Sequence, residues 1–272
     1  MDTYESIYQT ILENPEADAP RLVLADWLEE QGEYDRAEFI RVQIAIVQSE
    51  PNDPNLEALK RRDEELRKRY EKEWREKLPK VKGVLWGRYN RGFVWHIHVK
   101  EPLRFANQAG AIFSANPIIS LSTEVADIGP LADTPHISQI RHLDHLIGPE
   151  SLAHSVRFYR SSNCPQPRTL HWRPVLPRNR NNELNWPTRG DEAIAVLAEC
   201  GQMGDLIRFD LWHREDLHSA TPRRWSVPIT RVGAELLLSE GSFPNLCELG
   251  VGTSRVGERL SNALGERFQL FQ

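Results

Sequence analysis

The feature that most constrains this 272-residue chain is an apolar triplet at positions i, i+3 and i+5 that occurs four times. Ile118, Leu121 and Thr123 carry it first, and Ile140, Leu143 and His145 repeat it 22 residues later. Leu206, Phe209 and Leu211 form a third set, and Leu246, Leu249 and Val251 a fourth, 40 residues beyond the third. In the last three sets an apolar residue also stands three positions ahead: Ile137, Met203 and Phe243. The spacing is that of LxxLxxLxL. Side chains alternate across a strand, so the last two positions of each triplet share one face. Units too short to bury that face alone must stack into a common core, which predicts short parallel strands piled as a solenoid. Ala193, Ile194, Val196 and Leu197, then Ala234, Leu236 and Leu237, then Val256, Leu260, Leu264 and Phe268 read as helices between and after the strands.

Ahead of this region the apolar period is helical. Tyr4, Ile7, Tyr8, Ile11 and Leu12 follow it until Asn14-Pro15 interrupts. Asp18 is placed to cap a second helix, with Pro20 tolerated in its first turn, and Gly32 to end it. A third helix begins near Asp35 and carries Ala37, Phe39, Ile40, Ile44 and Val47. Three such helices close a small core expected around Trp27 and Phe39, with Asp26 placed to meet Arg21 or a neighbouring helix end. Residues 56–78 form a fourth helix with an intermittent stripe of Leu56, Leu59, Leu66, Tyr70, Trp74 and Leu78. Its nine basic and seven acidic residues between positions 57 and 77 argue against a polybasic membrane anchor or nucleic-acid arm. A solvated helix packed along one edge, or a short pairing helix, is the plainer reading. Phe93, Trp95, Ile97 and Val99 then alternate as a strand behind the turn Tyr89-Asn90-Arg91-Gly92, and a helix follows with Phe105, Ala109, Ile112 and Phe113 inside. The expected division is a helical module over residues 1–80 and a strand-helix transition with a repeat body over 81–272.

Residues 20–43, PRLVLADWLEEQGEYDRAEFIRVQ, closely resemble the signature of the bacterial repeat-companion domain, a family of large planctomycete and myxobacterial paralogue sets often found ahead of leucine-rich repeats. Arg21, Leu22, Ala25, Asp26, Trp27, Leu28, Glu29 and Gly32 match its first half, and Ala37, Glu38, Phe39, Ile40 and Gln43 its second. WGRYNRGFVWHIHV and the helix ending in Ala115-Asn116-Pro117 resemble the usual continuation. Residues 118–268 are similar to degenerate leucine-rich repeats, although the asparagine usual after the strand is replaced by Trp212 or Thr253. The resemblance implies no transferable catalytic activity. Arg21, Asp26, Trp27, Glu38 and Phe39 enter as family markers. It does imply a binding scaffold, and hence a protein partner more readily than a small substrate. The fold class expected is therefore α/β, an N-terminal helical module followed by an irregular leucine-rich-repeat-like solenoid with short parallel strands.

Residues 157–189 do not read as a clean repeat. They hold seven arginines against Glu183 alone, a local charge of +6 in a chain whose formal charge is -5. Arg168, Trp172, Arg173, Arg178, Arg180 and Trp186 are the candidate partner-binding residues, because arginines interleaved with indoles suit cation-π contacts, stacking or phosphate binding. A solvent-facing insertion, a protein-binding surface and a nucleic-acid surface all remain open for this segment. The acidic total gives no support for bulk nucleic-acid binding. His96, His98, His142, His145 and His154 form no HExxH motif or convincing metal cluster, and read as polar-face or capping histidines. Carboxylates in the first helices, Asp26, Glu29, Glu30 and Glu38 among them, read as surface charge and helix-helix salt bridges rather than an acid-base pair. GVGTSRVG, from Gly250, has its third glycine too late for a dinucleotide loop. No catalytic residue, cofactor or metal is expected. Three widely separated cysteines, Cys164, Cys200 and Cys247, the lack of a long apolar span and the absence of a leader pattern at the first residues suggest a cytoplasmic protein without a membrane segment. The functional expectation is a non-enzymatic recognition or adaptor module, with a structural or assembly role as the alternative and a cryptic hydrolase or nucleic-acid-binding protein behind it.

Overall fold

A computed structural model describes residues 2–125, 127–147, 152–174, 189–214, 224–253 and 256–270. The chain is α/β, with N-terminal helices followed by a mixed region built on a mostly parallel sheet. It divides into two compact units, one of Met1–His98 with Gln108–Ile119, the other of Val99–Asn107 with Ser120–Gln272.

In the first unit α1 (Thr3–Glu13), α2 (Ala19–Glu30) and α3 (Tyr34–Gln48) follow the helical periods of the sequence. Gly32 ends the second segment in a left-handed conformation, φ +84°, which an L side chain rarely adopts. Ile11, Leu24, Leu28, Ala37, Ile40 and Phe93 form the core between them. Trp27, expected at its centre, lies half-buried at its margin. Phe39 is fully buried on a different face, 4.6 Å ring to ring from Trp74 of α4 (Leu56–Glu76) and edge-on to Tyr89 at 5.5 Å. The fourth helix therefore packs on the third through aromatic faces, and the buried Gln43 reinforces this by donating to Asp63 at 2.9 Å. Asp18 does not cap α2. Its carboxylate instead accepts from Arg91 at 2.6 Å and from Gln48 at 2.9 Å.

β1 (Val84–Trp86) precedes a hairpin of β2 (Tyr89–Asn90) and β3 (Phe93–Val94). Arg91 and Gly92 both have positive φ, 52° and 86°, as a two-residue type I′ turn demands. The Gly92 N–H donates to Gln43 at 2.7 Å, so one glutamine side chain joins α3, α4 and the turn. The single strand expected from Phe93 to Val99 is two, because Trp95 bonds through its backbone to Arg88 and Ile119 before β4 (His96–Val99) begins. The expected helix follows as α5 (Pro102–Ala115), with Phe105, Ala109, Ile112 and Phe113 buried.

The second unit alternates strands and helices. β5 (Ser120–Thr123) and β6 (His142–Ile147) are joined through 3-10 turns at Gly129–Asp133 and Pro135–Gln139, and α6 (Leu152–Tyr159) leads to β7 (Thr169–Pro174). Then come α7 (Arg189–Glu199), β8 (Arg208–Arg214), β9 (Arg224–Ser226), α8 (Arg231–Leu238), β10 (Glu248–Gly250), α9 (Glu258–Arg267) and β11 (Gln269–Leu270). The strands run β5-β6-β7-β8-β10-β11 in parallel, and β9 alone adds antiparallel to the far end of β8. Register makes the repeat physical. Leu121 pairs with Leu143, Leu143 with Leu170, Leu170 with Phe209 and Phe209 with Leu249, every one at most 3% exposed. Each such burial contributes about 1.5–3 kcal/mol before ordering costs.

This row includes a strand the sequence pattern passes over. Pro167, Leu170 and Trp172 occupy i, i+3 and i+5, Cys164 stands three before, and all four are buried. The first part of the supposed irregular insertion is thus a further unit of the same spacing, with proline, cysteine and tryptophan where leucines were sought. The i+5 row runs Thr123, His145, Trp172, Leu211, each paired with the next. His145 is accordingly no polar-face histidine: it is fully buried at a core position.

Candidate functional site

The parallel strands turn their other residues to the opposite face of the sheet, and there the second unit concentrates charge. The i+4 positions align Asp144 with His171, His171 with Asp210 and Asp210 with Gly250 across four strands. The i+2 positions align Thr169 with Arg208 and Arg208 with Glu248. Arg173 donates from Nε to Asp144 at 2.5 Å and from Nη2 to the Thr123 carbonyl at 3.2 Å, while Glu124 lies 3.7 Å from Nη1. Arg208 donates to Asp210 at 2.8 Å and to Glu248 at 3.3 Å. His171 Nε2 also reaches the Asp210 carboxylate. His142 and Thr169 share a hydrogen bond of 2.8 Å at the start of the neighbouring strands.

Asp210 is the centre of this arrangement and only 2% exposed. Burial pushes its carboxyl upward, but the hydrogen bonds and charges of His171 and Arg208 outweigh burial and hold it below the ordinary carboxylate range. Gly250 leaves the space that the carboxylate fills, since a Cβ there would collide with it. Gly250 therefore serves sheet packing, as the last residue of β10. Behind the face, the Trp172 indole N–H donates to Tyr159 Oη at 2.8 Å, and Tyr159 Oη lies 2.9 Å from His145 Nε2. His145 Nδ1 is 2.9 Å from the Leu146 carbonyl. A carbonyl can only accept, so Nδ1 carries the proton, Nε2 accepts from Tyr159, and the polar side-chain atoms of His145, Tyr159 and Trp172 are all paired. Burial pushes the His145 imidazole down to about 4, so it is neutral and unable to act as a solvent-facing base near pH 7.

The six residues expected to bind a partner divide four ways. Arg173 stands on the charged face, held by Asp144. Arg168 is exposed at the lead into β7, where its carbonyl accepts from Ile207 and Arg208. Trp172 is fully buried with its N–H spent on Tyr159, so its ring belongs to the core and not to a docking surface. Arg178, Arg180 and Trp186 lie outside the described residues. The local excess of positive charge is also reduced by pairing, Arg157 with Asp133 and Arg160 with Glu199, at 2.6 and 2.5 Å.

The residues singled out by the resemblance at 20–43 make structural contacts. Arg21 is 2% exposed and donates to the Ala17 and Pro15 carbonyls at 2.6 and 2.8 Å, with its guanidinium 5.6 Å from the centre of the Phe93 ring. It does not meet Asp26, which instead pairs with Arg41 at 2.7 Å, as does Glu29 at 2.6 Å. Glu38 takes Arg62 through both oxygens, at 2.7 and 2.6 Å, joining α3 to α4.

No family model, curated protein or solved structure matches the chain. Among the described residues no three histidine, cysteine or acidic side chains converge to hold a metal, and no helix is long and apolar enough to cross a membrane. Asp144, Arg208, Asp210 and Glu248 are the face residues that sequence reasoning missed. The signal that could have found them is their place at i+2 or i+4 of the apolar triplets.

Proposed function

We propose that the chain is a non-enzymatic recognition or adaptor module that holds another protein against the polar face of its parallel sheet. In this reading the sheet region is a short, irregular leucine-rich-repeat scaffold and the helical region a repeat-companion module. The observation that carries it is the register: the triplets stack strand on strand behind a face where the acidic Glu124, Asp144, Asp210 and Glu248 stand among the basic Arg173 and Arg208. Charges held by their neighbours are preorganised, so a partner does not bear the cost of ordering them. Mixed sign favours a protein over nucleic acid, which needs an uninterrupted basic footprint. The free cysteines, Cys164 buried among them, suit a reducing cytoplasm.

Quantitative capture from bacterial extract, with and without nuclease, tests this using three proteins: the native chain, a face variant with Asp144→Asn and Glu248→Gln, and a control with Glu235→Gln on α8. A stoichiometric, nuclease-resistant partner retained by the control and lost from the face variant is expected. Equal retention by all three would refute the assignment of the face.

A further inference from the structure

The first unit contains a cavity of about 590 Å³, walled by the rings of Tyr4, Tyr8, Trp27, Trp74, Tyr89 and Phe93. That volume suits a small organic molecule. Tyr4 and Tyr8 stack at 5.6 Å, Trp27 tilts against Tyr4 at 5.4 Å, and Phe93 closes on Tyr8 at 5.8 Å. Arg36 also lines the space, its Cζ 4.7 Å from the Trp74 ring centre and 5.3 Å from that of Phe93.

Two polar atoms at this cavity are unaccounted for. Arg36 donates from Nη2 to the Gly92 carbonyl at 2.5 Å, but Nη1 is buried with no hydrogen-bond partner. Tyr89 Oη is likewise buried without one. Arg41, Arg62, Arg67, Arg75 and Arg91 of the same unit pair with carboxylates, and Arg21 with two backbone carbonyls. Arg36 is surrounded by ring faces instead. Buried groups without a protein partner are uncommon, and each calls for strain, an ordered water or a ligand. Here both orphan groups can donate, one carries a positive charge, and the wall is otherwise mostly aromatic and aliphatic, with Gln31, Glu33, Lys77 and Asn116 as its other polar members.

We propose that this cavity binds a small aromatic monocarboxylic acid, its ring among the aromatic walls and its carboxylate accepting from Arg36 and Tyr89. A carboxylate accepts from a guanidinium and a phenol at once. A single negative charge suits the single arginine, since the other charged lining groups, Lys77 and Glu33, oppose one another. The site is separate from the sheet face and stands or falls independently of it.

Calorimetric titration of the full chain with 3-phenylpropionate and its uncharged isostere 3-phenylpropionamide tests the proposal without a mutation. The carboxylate should bind at least about tenfold more tightly, as a charge-assisted hydrogen bond requires. Tyr89→Phe should weaken the acid by about threefold and leave the amide nearly unchanged, and Arg36→Met should erase the difference between them. Equal affinity for acid and amide, or no binding of either at millimolar concentration, would overturn it. Acetyl-Ala-Ala-Phe with a free C-terminus binding far more tightly than 3-phenylpropionate would also overturn it, in favour of a peptide terminus.

Discussion

Arg21 in the helical unit and Asp210 in the sheet unit are each 2% exposed, and their neighbours differ in kind. Arg21 is met by two backbone carbonyls and the face of Phe93, none of which changes charge with pH. Asp210 is met by His171 and Arg208, and close behind it His145, Tyr159 and Trp172 form a chain of side-chain hydrogen bonds. Pro15 and Ala17 lie in the turn between α1 and α2, and no side-chain exchange removes their backbone carbonyls, so the first solution tolerates substitution around it. A side-chain network is built only of replaceable parts, and loss of one member strands the rest. The setting of Arg21 should therefore not respond to acid, whereas the sheet unit should be sensitive to acid through His145 and Asp210 and to single substitutions in the network.

Trp172→Ala tests the sheet side most severely. It empties a fully buried position paired with Leu211 and strands Tyr159, and should cost the second unit about 3–5 kcal/mol in denaturant unfolding. Trp27→Ala, at a half-buried position, should cost distinctly less. Equal losses would remove the contrast between the units.

Acid gives the next largest effect. The folded His145 value is about 4 against an ordinary 6.5, so the unfolded chain binds the extra proton between those limits. Stability contributed by neutral His145 is complete above pH 6.5 and is lost as pH falls toward 4, on the order of 3 kcal/mol in all. Asp210 follows at lower pH: its folded value is depressed, so its contribution is present above the ordinary 3.8 and disappears as pH drops through the folded value. His145→Leu places an aliphatic residue in the apolar row and should flatten the stability profile between pH 6.5 and 4, measured by chemical denaturation at each pH. A profile unchanged by that substitution would assign the acid sensitivity elsewhere.

Gly250→Ala asks how tightly the charged face is packed. Its Cβ meets the Asp210 carboxylate, which His171 and Arg208 hold in place, and the expected cost is about 1–3 kcal/mol. Gly204→Ala, where a Cβ meets nothing within 4 Å, is the control and should stay within about 0.5 kcal/mol of the native chain.

The sequence made the apolar triplets legible because four of them keep leucine-like residues at i and i+3. It hid the unit at Pro167, Leu170 and Trp172 because arginines crowd that stretch and a proline stands in the first position. Three of the seven arginines over residues 157–189, Arg157, Arg160 and Arg173, find Asp133, Glu199 and Asp144, which linear charge counting does not foresee. The charged face was unreadable for a related reason: its members lie far apart along the chain and meet only through register. His145 could be placed on the repeat but not explained, since its acceptor role depends on Tyr159 from another element. The helices were legible from period and punctuation, whereas partners such as Asp26 with Arg41 depend on packing angles that no linear pattern carries.

That pair yields the smallest expected effect and the sharpest question about the helical unit. Asp26 belongs to the stretch that resembles a family signature, yet its side chain is 69% exposed and that of Arg41 37% exposed. Water screens such a pair, and Glu29 remains within 2.6 Å to hold Arg41 if Asp26 loses its charge. Asp26→Asn should therefore change unfolding stability by less than about 1 kcal/mol. A larger loss would give Asp26 a role in stability that its exposure argues against. A small one, combined with impaired partner capture, would place its importance at a surface that the helical unit presents.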